Sequence, residues 1–252
     1  MGLFDKIFGK KPGKGVDLSQ PDSRLMELSA KFPFPLIAIP GNNVETELLR
    51  LRNNLSSPHG MPVAVGSYEN AVRLLEIRDD PFDFDNQLKL AASINAEEWF
   101  TKRRAEDPEL YTDDGQDEVH LSGTAPMSKL TIGCDYKNIP HAEVFIAIVP
   151  TSDSTTLPLH LRFGDWNDCP SPCVHTAVAR YWRERYGAEI ATVAPDVIEF
   201  TVAKLPPNDE EALQLAWQQY FYCSDIVDQG VGSVATLAQA LRTSSRWFFW
   251  LD

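Results

Sequence analysis

The chain has 252 residues, of which 43% are hydrophobic, so it holds enough apolar material for one large domain or two small ones, and global disorder is excluded. Its formal net charge of −13 at pH 7 offers no basic surface to a phosphate backbone, and we therefore expect no nucleic-acid partner. No stretch reaches the roughly 20 apolar residues of a membrane span, and the opening MGLFDKIFGKKPGKG lacks the apolar core of a secretory signal, which predicts a cytoplasmic protein with reduced cysteines.

The first half of the chain predicts alternating strands and helices. A polar helix is expected in DSRLMELSAKF. Two short apolar runs, LIAI and MPVAVG, predict buried strands, and each precedes a segment with helical spacing, NNVETELLRLRNNL and YENAVRLLEIRD. This order of elements predicts a parallel or mixed sheet within the first hundred residues.

An acidic segment spans Glu76 to Glu118, where fourteen acidic and five basic residues give most of the net charge of the chain. It contains a predicted helix, NAEEWFTKRRAEDPEL. Two interpretations stay open, namely a solvated linker and a surface that docks a basic partner. On the second interpretation, the contacts are acidic side chains and aromatic side chains that we expect to be exposed. These residues are Asp79, Asp80, Asp83, Asp85, Trp99, Phe100, Tyr111, Asp113, Asp114, Asp117 and Glu118.

The second half of the chain predicts a longer series of elements. AEVFIAIVP is the strongest strand pattern, and TTLPLHLRFG predicts another strand, which Pro158 places at an edge or a bulge. Apolar residues recur at helical spacing over 174–186, with Asp168 or Ser171 as the candidate cap and Gly187 as the stop. The remaining residues predict a hairpin turning at 195–196, a helix capped by Asn208, a helix in SVATLAQALRTS, and an aromatic strand in RWFFWLD that we expect to be buried on both faces.

Together these elements predict an α+β fold, in which helices flank a mixed β-sheet. We expect a flexible basic leader at 1–20 and an N-terminal α/β region at 21–125 with strand–helix–strand–helix order. A C-terminal α+β core domain follows at 126–252, with helix–hairpin–helix–helix–strand order. Whether the two regions form one domain or two stays open.

The stretch GDWNDCPSPCVH, at the start of the predicted C-terminal helix, concentrates chemically active groups. Cys169, Cys173 and His175 offer the ligand types of zinc, but a structural zinc site usually has a second ligand pair, so we predict no metal and no cofactor. A thiolate at the start of a helix, with His175 or His160 as its base, is a second interpretation, although no third, orienting residue is indicated. In the third interpretation, both cysteines are small buried groups at the helix entry.

An enzyme would need a pocket, and polar residues at two places in the sequence are candidates for it. Asp225 and Asp228 lie in the connector YCSDIVDQGVGS, where two acids can bind a metal, act as acid and base, or cap helix ends. We assign no catalytic residue. The candidate pocket residues are Asp165, Trp166, Asn167, Cys169, His175, Asp225 and Asp228.

Several of these segments resemble one uncharacterised bacterial family, the domain of unknown function 4253. The resemblance covers nearly the whole chain after the leader and is most specific from Gly164 to Asp252, where Leu251 takes the place of a tryptophan in the terminal strand of the family. It transfers no catalytic residue. The segments that carry it are LIAIPG, MPVAVGS, GDWNDCPSP, RYGAEI, AWQQYFYCSDIVDQGVGSVATLAQAL and RWFFWLD.

The resemblance implies a function by association. Small acidic bacterial proteins of this kind resemble immunity proteins encoded beside secreted toxins, and an acidic inhibitor associates quickly with a basic toxin. We therefore expect a cytoplasmic immunity protein that blocks a basic partner, a secreted toxin such as a nuclease, by occlusion. The alternatives are an enzyme with the pocket named above and a scaffold or regulatory module.

Overall fold

A computed structural model describes residues 23–54, 60–76, 81–106, 108 and 127–251. The predicted leader at 1–20 lies outside these residues. Among them, no helix combines the length and hydrophobicity needed to cross a membrane. The helices are α1 Ser23–Lys31, α2 Val44–Asn54, α3 Tyr68–Glu76, α4 Phe84–Ser93, α5 Ala96–Glu106, α6 Leu157–Leu161, α7 Pro172–Tyr186, α8 Asp209–Tyr222 and α9 Val234–Leu241. The strands are β1 Leu36–Ile39, β2 Met61–Gly66, β3 Val144–Val149, β4 Glu189–Val193, β5 Val197–Thr201 and β6 Arg246–Trp250.

The described strands form one mixed six-stranded sheet in the order β1-β3-β2-β4-β5-β6. β2 and β4 are parallel neighbours, and the other neighbouring pairs are antiparallel. β3 lies between β1 and β2, so the two strands of the first half of the chain are joined through a strand of the second half. The expected α+β fold with a mixed sheet is confirmed. The division at residues 125 and 126 stays a prediction, although strands from both regions share the sheet.

The sheet places an apolar cluster on each of its faces, because successive side chains of a strand point to opposite sides. On one face Trp182 of α7 stacks on Phe249 of β6, with ring centroids 5.5 Å apart, and also packs against Phe200. On the other face Ile146 packs with Leu48 of α2. The terminal strand contributes to both clusters, which explains its run of aromatic residues without any ligand.

The structure corrects one predicted strand and adds one helix. Instead of a strand, TTLPLHLRFG belongs to a 3₁₀ turn at Ser154–Thr156 and to the short helix α6, and Asp153 caps the 3₁₀ turn by accepting a hydrogen bond from the Thr155 amide at 3.0 Å. Pro158 lies in the first turn of α6, where a missing N–H costs no helical hydrogen bond. The added helix is α4, whose N-cap Asp83 accepts from the Asn86 amide at 3.0 Å.

Glu199 of β5 is a buried carboxylate that ties the segment after residue 127 to the sheet. It accepts hydrogen bonds from the Thr131 amide at 2.6 Å and from the Thr192 hydroxyl at 2.7 Å, and the Thr131 hydroxyl also donates to it. Burial raises the pKa of the Glu199 carboxyl, while these donors act in the opposite direction. The segment therefore depends on a carboxylate that neither the helical nor the strand pattern indicated.

We expect Glu199→Gln to lower the free energy of unfolding by about 1–2 kcal/mol, because an amide NH₂ replaces one acceptor and leaves a buried donor without a partner. Urea denaturation measures this value. Glu184→Gln, at an exposed position of α7, is the matched control and should stay within about 0.5 kcal/mol of the parent. Equal stability of the two variants would show that the Glu199 contacts contribute nothing.

Candidate functional site

A groove of about 600 Å³ lies at the end of the sheet where β4 turns into β5 and where β6 ends. The parallel neighbours β2 and β4 have their carboxyl ends at this edge, which is the common position of ligand sites in open α/β sheets. The stretch between α6 and α7 lines the groove, and so do Glu76, Pro81, Phe82 and Gln87 from the described beginning of the acidic segment. The residues that line the groove include Arg73, Glu76, Phe82, Gln87, Arg162, Gly164, Asp165, Trp166, Asn167, Asp196 and Leu251.

The wall from residue 162 to residue 167 has an unusual backbone. Arg162, Gly164, Asp165 and Asn167 have φ values of 54°, 115°, 71° and 45°, in the left-handed region that non-glycine residues seldom adopt. A Cβ on Gly164 would lie 2.1 Å from the Pro170 carbonyl oxygen, so this close approach requires glycine. Strained backbone of this kind clusters at functional sites, and here it turns the Asp165 and Asn167 side chains outward, where both are exposed.

Trp166 is held in the groove wall by the end of the chain. Its indole N–H donates to the Leu251 carbonyl at 3.2 Å, and its ring meets Phe163 edge to face with centroids 5.1 Å apart. The Leu251 amide in turn donates to the Asp196 carbonyl at 2.9 Å. The terminal strand and the β4–β5 turn thereby fix one aromatic side chain beside the groove.

Both basic and acidic side chains line the groove, and two of the acidic side chains have no ion-pair partner among the described residues. Arg73 pairs with Asp196 at 3.1 Å, and the Arg162 guanidinium lies 5.1 Å from the centre of the Phe82 ring. Glu76 and Asp165 are exposed and make no ion pair within 4.0 Å among the described residues. These two carboxylates are therefore available to a basic group that enters the groove.

One buried acceptor also belongs to this lining. Gln87 of α4 contributes to the wall of the groove, and its Oε1 atom is buried without a hydrogen-bond partner among the described residues. A buried carbonyl oxygen without a donor costs free energy, so a donor supplied by a ligand would be favoured there.

Behind this wall lies a buried network centred on His175. Its Nδ1 is 2.6 Å from the Tyr222 hydroxyl, and its Nε2 is 3.4 Å from the Cys169 sulfur. The phenol has one proton to donate, and with Nδ1 as its acceptor the imidazole carries its own proton on Nε2. The Pro170 carbonyl accepts a hydrogen bond from this ring, and the Cys169 sulfur lies beside Nε2. Gly164 is in contact with this ring, since an added Cβ would lie 2.9 Å from it.

The network is neutral at pH 7. Burial lowers the pKa of His175 to about 3, and burial raises the pKa of Cys169, with nearby Cys223 acting in the same direction. Cys223 is also buried and donates to the Trp250 carbonyl at 2.9 Å. A neutral thiol beside a neutral imidazole is not an activated nucleophile, because catalysis by cysteine needs the thiolate. The geometry therefore favours the interpretation of Cys169 as a small buried group, and Cys173 is likewise buried, with its sulfur 3.0 Å from the Ser171 hydroxyl.

The remaining pocket candidates are not part of the groove. Asp225 and Asp228 flank and enter a π-helical stretch, Ile226–Val231, where Gln229 donates to Asp225 at 2.6 Å and the Tyr220 hydroxyl donates to Asp228 at 2.8 Å. The structure thus brings Asp165, Trp166 and Asn167 into the groove and places Cys169 and His175 behind its wall, while the two later acids bond elsewhere. In the described part of the chain, no group of three or more acidic, histidine or cysteine side chains is arranged to hold a metal ion.

Some of the candidate partner contacts have structural roles of their own. Phe100 was expected to be exposed, but it is 4% exposed and stacks on Trp182, so that expectation is wrong. Trp99 is half-buried, Asp83 caps α4, and Asp85 is exposed. The other candidates lie outside the described residues, namely Asp79, Asp80, Tyr111, Asp113, Asp114, Asp117 and Glu118.

Sequence reasoning missed three groups at this site. Tyr222 was hidden in the apolar pattern of α8, and its contact with His175 joins residues 47 positions apart. Arg73 is an ordinary polar position of the helix predicted in YENAVRLLEIRD, and Gln87 lies in α4, which the sequence pattern did not predict. The only available signal was the unusual density of polar residues in GDWNDCP, which does indicate the groove wall.

Comparison with known proteins finds one family that resembles the latter part of the chain. The family model of a domain of unknown function, DUF4253, matches residues 145–252. No curated protein and no solved structure matches the chain. The match includes the groove wall, the His175 network and the terminal strand, whereas LIAIPG and MPVAVGS precede it. The predicted resemblance to this family is therefore confirmed for residues 145–252, from β3 to the end of the chain, and its extension to the earlier segments stays a prediction.

Proposed function

We propose that this protein is an acidic binding module, an immunity protein that neutralises a basic secreted toxin, such as a nuclease, by occlusion. One observation carries the proposal. The beginning of the acidic segment and the GDWN stretch are distant in sequence, yet residues of both line one groove. A single surface thereby combines exposed carboxylates with a fixed tryptophan.

Long-range electrostatics supports the same partner class. A net charge of −13 attracts a basic protein and accelerates its encounter, and salt screens this attraction. Within the groove, Asp165 and Glu76 can each accept hydrogen bonds from a lysine or arginine of the partner. The Trp166 ring offers a cation a favourable face beside them. In the sequence, Asp79 and Asp80 lie between Glu76 and Pro81, two residues that line the groove.

The enzyme remains a second candidate, favoured by the strained backbone at 162–167 and by the unpartnered Gln87 oxygen. Its catalytic groups would have to be Asp165 and Asn167, since Cys169 and His175 are buried and neutral. Turnover of a small molecule that Asp165→Asn abolishes, with no protein partner found, would favour this candidate over the inhibitor.

The proposal is tested by purifying tagged protein from its native bacterium at low salt and then washing at high salt. We expect one stoichiometric basic partner that is lost at high salt, whose toxicity is suppressed by coexpression of this chain. Mass spectrometry identifies the partner, and growth of the coexpressing cells measures neutralisation. A captured basic protein that is not toxic, or whose toxicity persists on coexpression, would contradict the immunity function.

The groove itself is tested by Asp165→Asn, which removes a charge while keeping a residue type that tolerates positive φ. We expect the affinity for the captured partner to fall about tenfold, mostly through slower association at low salt. Glu210→Gln, exposed at the start of α8 and outside the groove, is the matched control. Association kinetics measured against salt concentration separate the two variants. Identical kinetics would remove the groove from the interface.

A further inference from the structure

A second cavity lies at the opposite end of the strands from the groove, where β2 and β4 begin and β3 ends. Its volume is about 310 Å³, and we call it the arginine cleft because Arg52 of α2 and Arg183 of α7 line it. Glu189, the first residue of β4, lines it as well. The cleft is separate from the groove, since the two have no lining residue in common.

Arg52 is a partly buried cation that has no carboxylate partner among the described residues. Its Nη2 donates to the Ile190 carbonyl, and its Nε is buried with no hydrogen-bond partner among the described residues. No described carboxylate lies within 4.0 Å of its guanidinium. Burial lowers the pKa of Arg52, which reflects the cost of keeping this charge away from water. Buried cations are normally paired, so an unpaired one at a cavity wall indicates a site for an anionic group.

Glu189 supplies the opposite charge on the same cleft and is equally unpaired. The Ser154 hydroxyl donates to its Oε2, and no described cation lies within 4.0 Å of it. Glu189 is close enough to influence the pKa of Arg52 in the raising direction, but the two side chains make no ion pair. A gap therefore separates a cation and an anion that line one small cavity.

Arg183 also lines the cleft, but its ion pair is with Asp153 and not with Glu189. It pairs with Asp153 at 2.5 Å, and the Asp153 carboxylate also accepts from the Thr155 amide and hydroxyl. This ion pair is self-contained, so the charges left to a ligand are those of Arg52 and Glu189. A doubly charged anion such as phosphate would be repelled by Glu189, whereas a ligand with one charge of each sign would be attracted by both residues.

We propose that the arginine cleft binds a free α-amino acid, whose carboxylate pairs with Arg52 and whose ammonium group pairs with Glu189. The ammonium and carboxylate groups of an α-amino acid are both attached to its Cα atom, so the two charges lie close together. The cavity volume also leaves room for the side chain of the amino acid. Carboxylate recognition by a guanidinium is directional and strong, which suits Arg52 to this role. Neither the groove nor the proposed toxin partner is involved, so this site can be tested without them.

The test is thermal unfolding of the full chain with each of the twenty L-amino acids, and separately with inorganic phosphate, acetate and ethylamine, all at the same concentration. We expect at least one amino acid to raise Tm by about 5 °C or more at saturation, because a ligand that binds only the folded state stabilises it. Acetate and ethylamine each satisfy only one of the two charges, so their effects should be much smaller. The site would be refuted if no amino acid raised Tm, or if phosphate or acetate raised it as much.

Two variants locate the binding and one variant serves as a control. Calorimetric titration of the best amino acid should show affinity lowered about tenfold or more by Glu189→Gln, which keeps the shape of the side chain, and by Arg52→Gln. Arg50→Gln, an exposed neighbour on α2 that pairs with Glu47 at 2.7 Å, should bind like the parent. If Arg52→Gln does not fold, Glu189→Gln alone still decides. Unchanged affinity in Glu189→Gln would contradict the proposal.

Discussion

Gly164→Ala is expected to lower the free energy of unfolding by about 3 kcal/mol or more. Two costs combine in this variant. Alanine disfavours the φ of 115° at this position, and its Cβ would lie 2.1 Å from the Pro170 carbonyl oxygen and 2.9 Å from the His175 ring. The Pro170 carbonyl accepts from the Asp165 amide at 3.2 Å, so moving it away would break the contact that shapes the groove wall. Urea denaturation and Tm measure the effect, and a fall in Tm of roughly 6–12 °C is expected for a chain of this size.

Gly232→Ala is the matched control for this prediction. Gly232 also has a positive φ, of 85°, but a Cβ there would meet no heavy atom within 4 Å. Only the conformational cost remains, and the loss should be about 1 kcal/mol. Equal losses in the two variants would show that the close approach of Gly164 to Pro170 and His175 does not hold the wall together.

A loss of stability in acid is expected from His175. Burial lowers its pKa from 6.5 to about 3, so the unfolded chain binds a proton that the folded chain does not bind between these values. The contribution of His175 is therefore fully present above pH 6.5, and it declines by about 1.4 kcal/mol for each pH unit as the pH falls toward about 3. Neither Tyr222 nor Cys169 titrates in this window, because burial raises the pKa of both groups.

The measurement compares the free energy of unfolding of the parent with that of His175→Gln from pH 7 to pH 4.5. Glutamine can hydrogen-bond to the Tyr222 hydroxyl but does not titrate, so the other carboxylates of the chain contribute equally to both curves. The quantity of interest is therefore the difference in the free energy of unfolding between the two proteins at each pH. Parallel curves would show that His175 takes up its proton in the folded protein.

Much of the fold could be predicted from local patterns, and the errors have identifiable causes. The predicted cap at Asn208 is confirmed by its bond to the Glu211 amide at 2.8 Å, and Gly187 ends α7 with a left-handed φ of 59°. TTLPLHLRFG was assigned to a strand with Pro158 at an edge or a bulge, whereas Asp153 caps a 3₁₀ turn and Pro158 lies in the first turn of the short helix that follows. The apolar content of this segment did not distinguish a strand from a short helix.

The site could be predicted only in part. GDWN was recognised as a polar stretch that could border a pocket, and it does form a groove wall. Phe100 was taken for an exposed anchor because a helix pattern of weak amphipathicity does not show which side faces the core, and its ring stacks on Trp182. Glu199 was overlooked because one acidic residue within an apolar strand gives no sign of the donors that surround it.

Most element types, the acidic balance and the resemblance to DUF4253 follow from the sequence, because propensity, capping, charge and sequence motifs are properties of short segments. The contacts between polar groups distant in sequence depend on the tertiary structure. The Arg52 side chain contacts a carbonyl 138 positions later in the chain, and Glu189 reaches the same cleft only because β2 and β4 pair in parallel. Such long-range contacts depend on strand order and register. Both arise from the packing of the two faces of the sheet and are not encoded in any short segment.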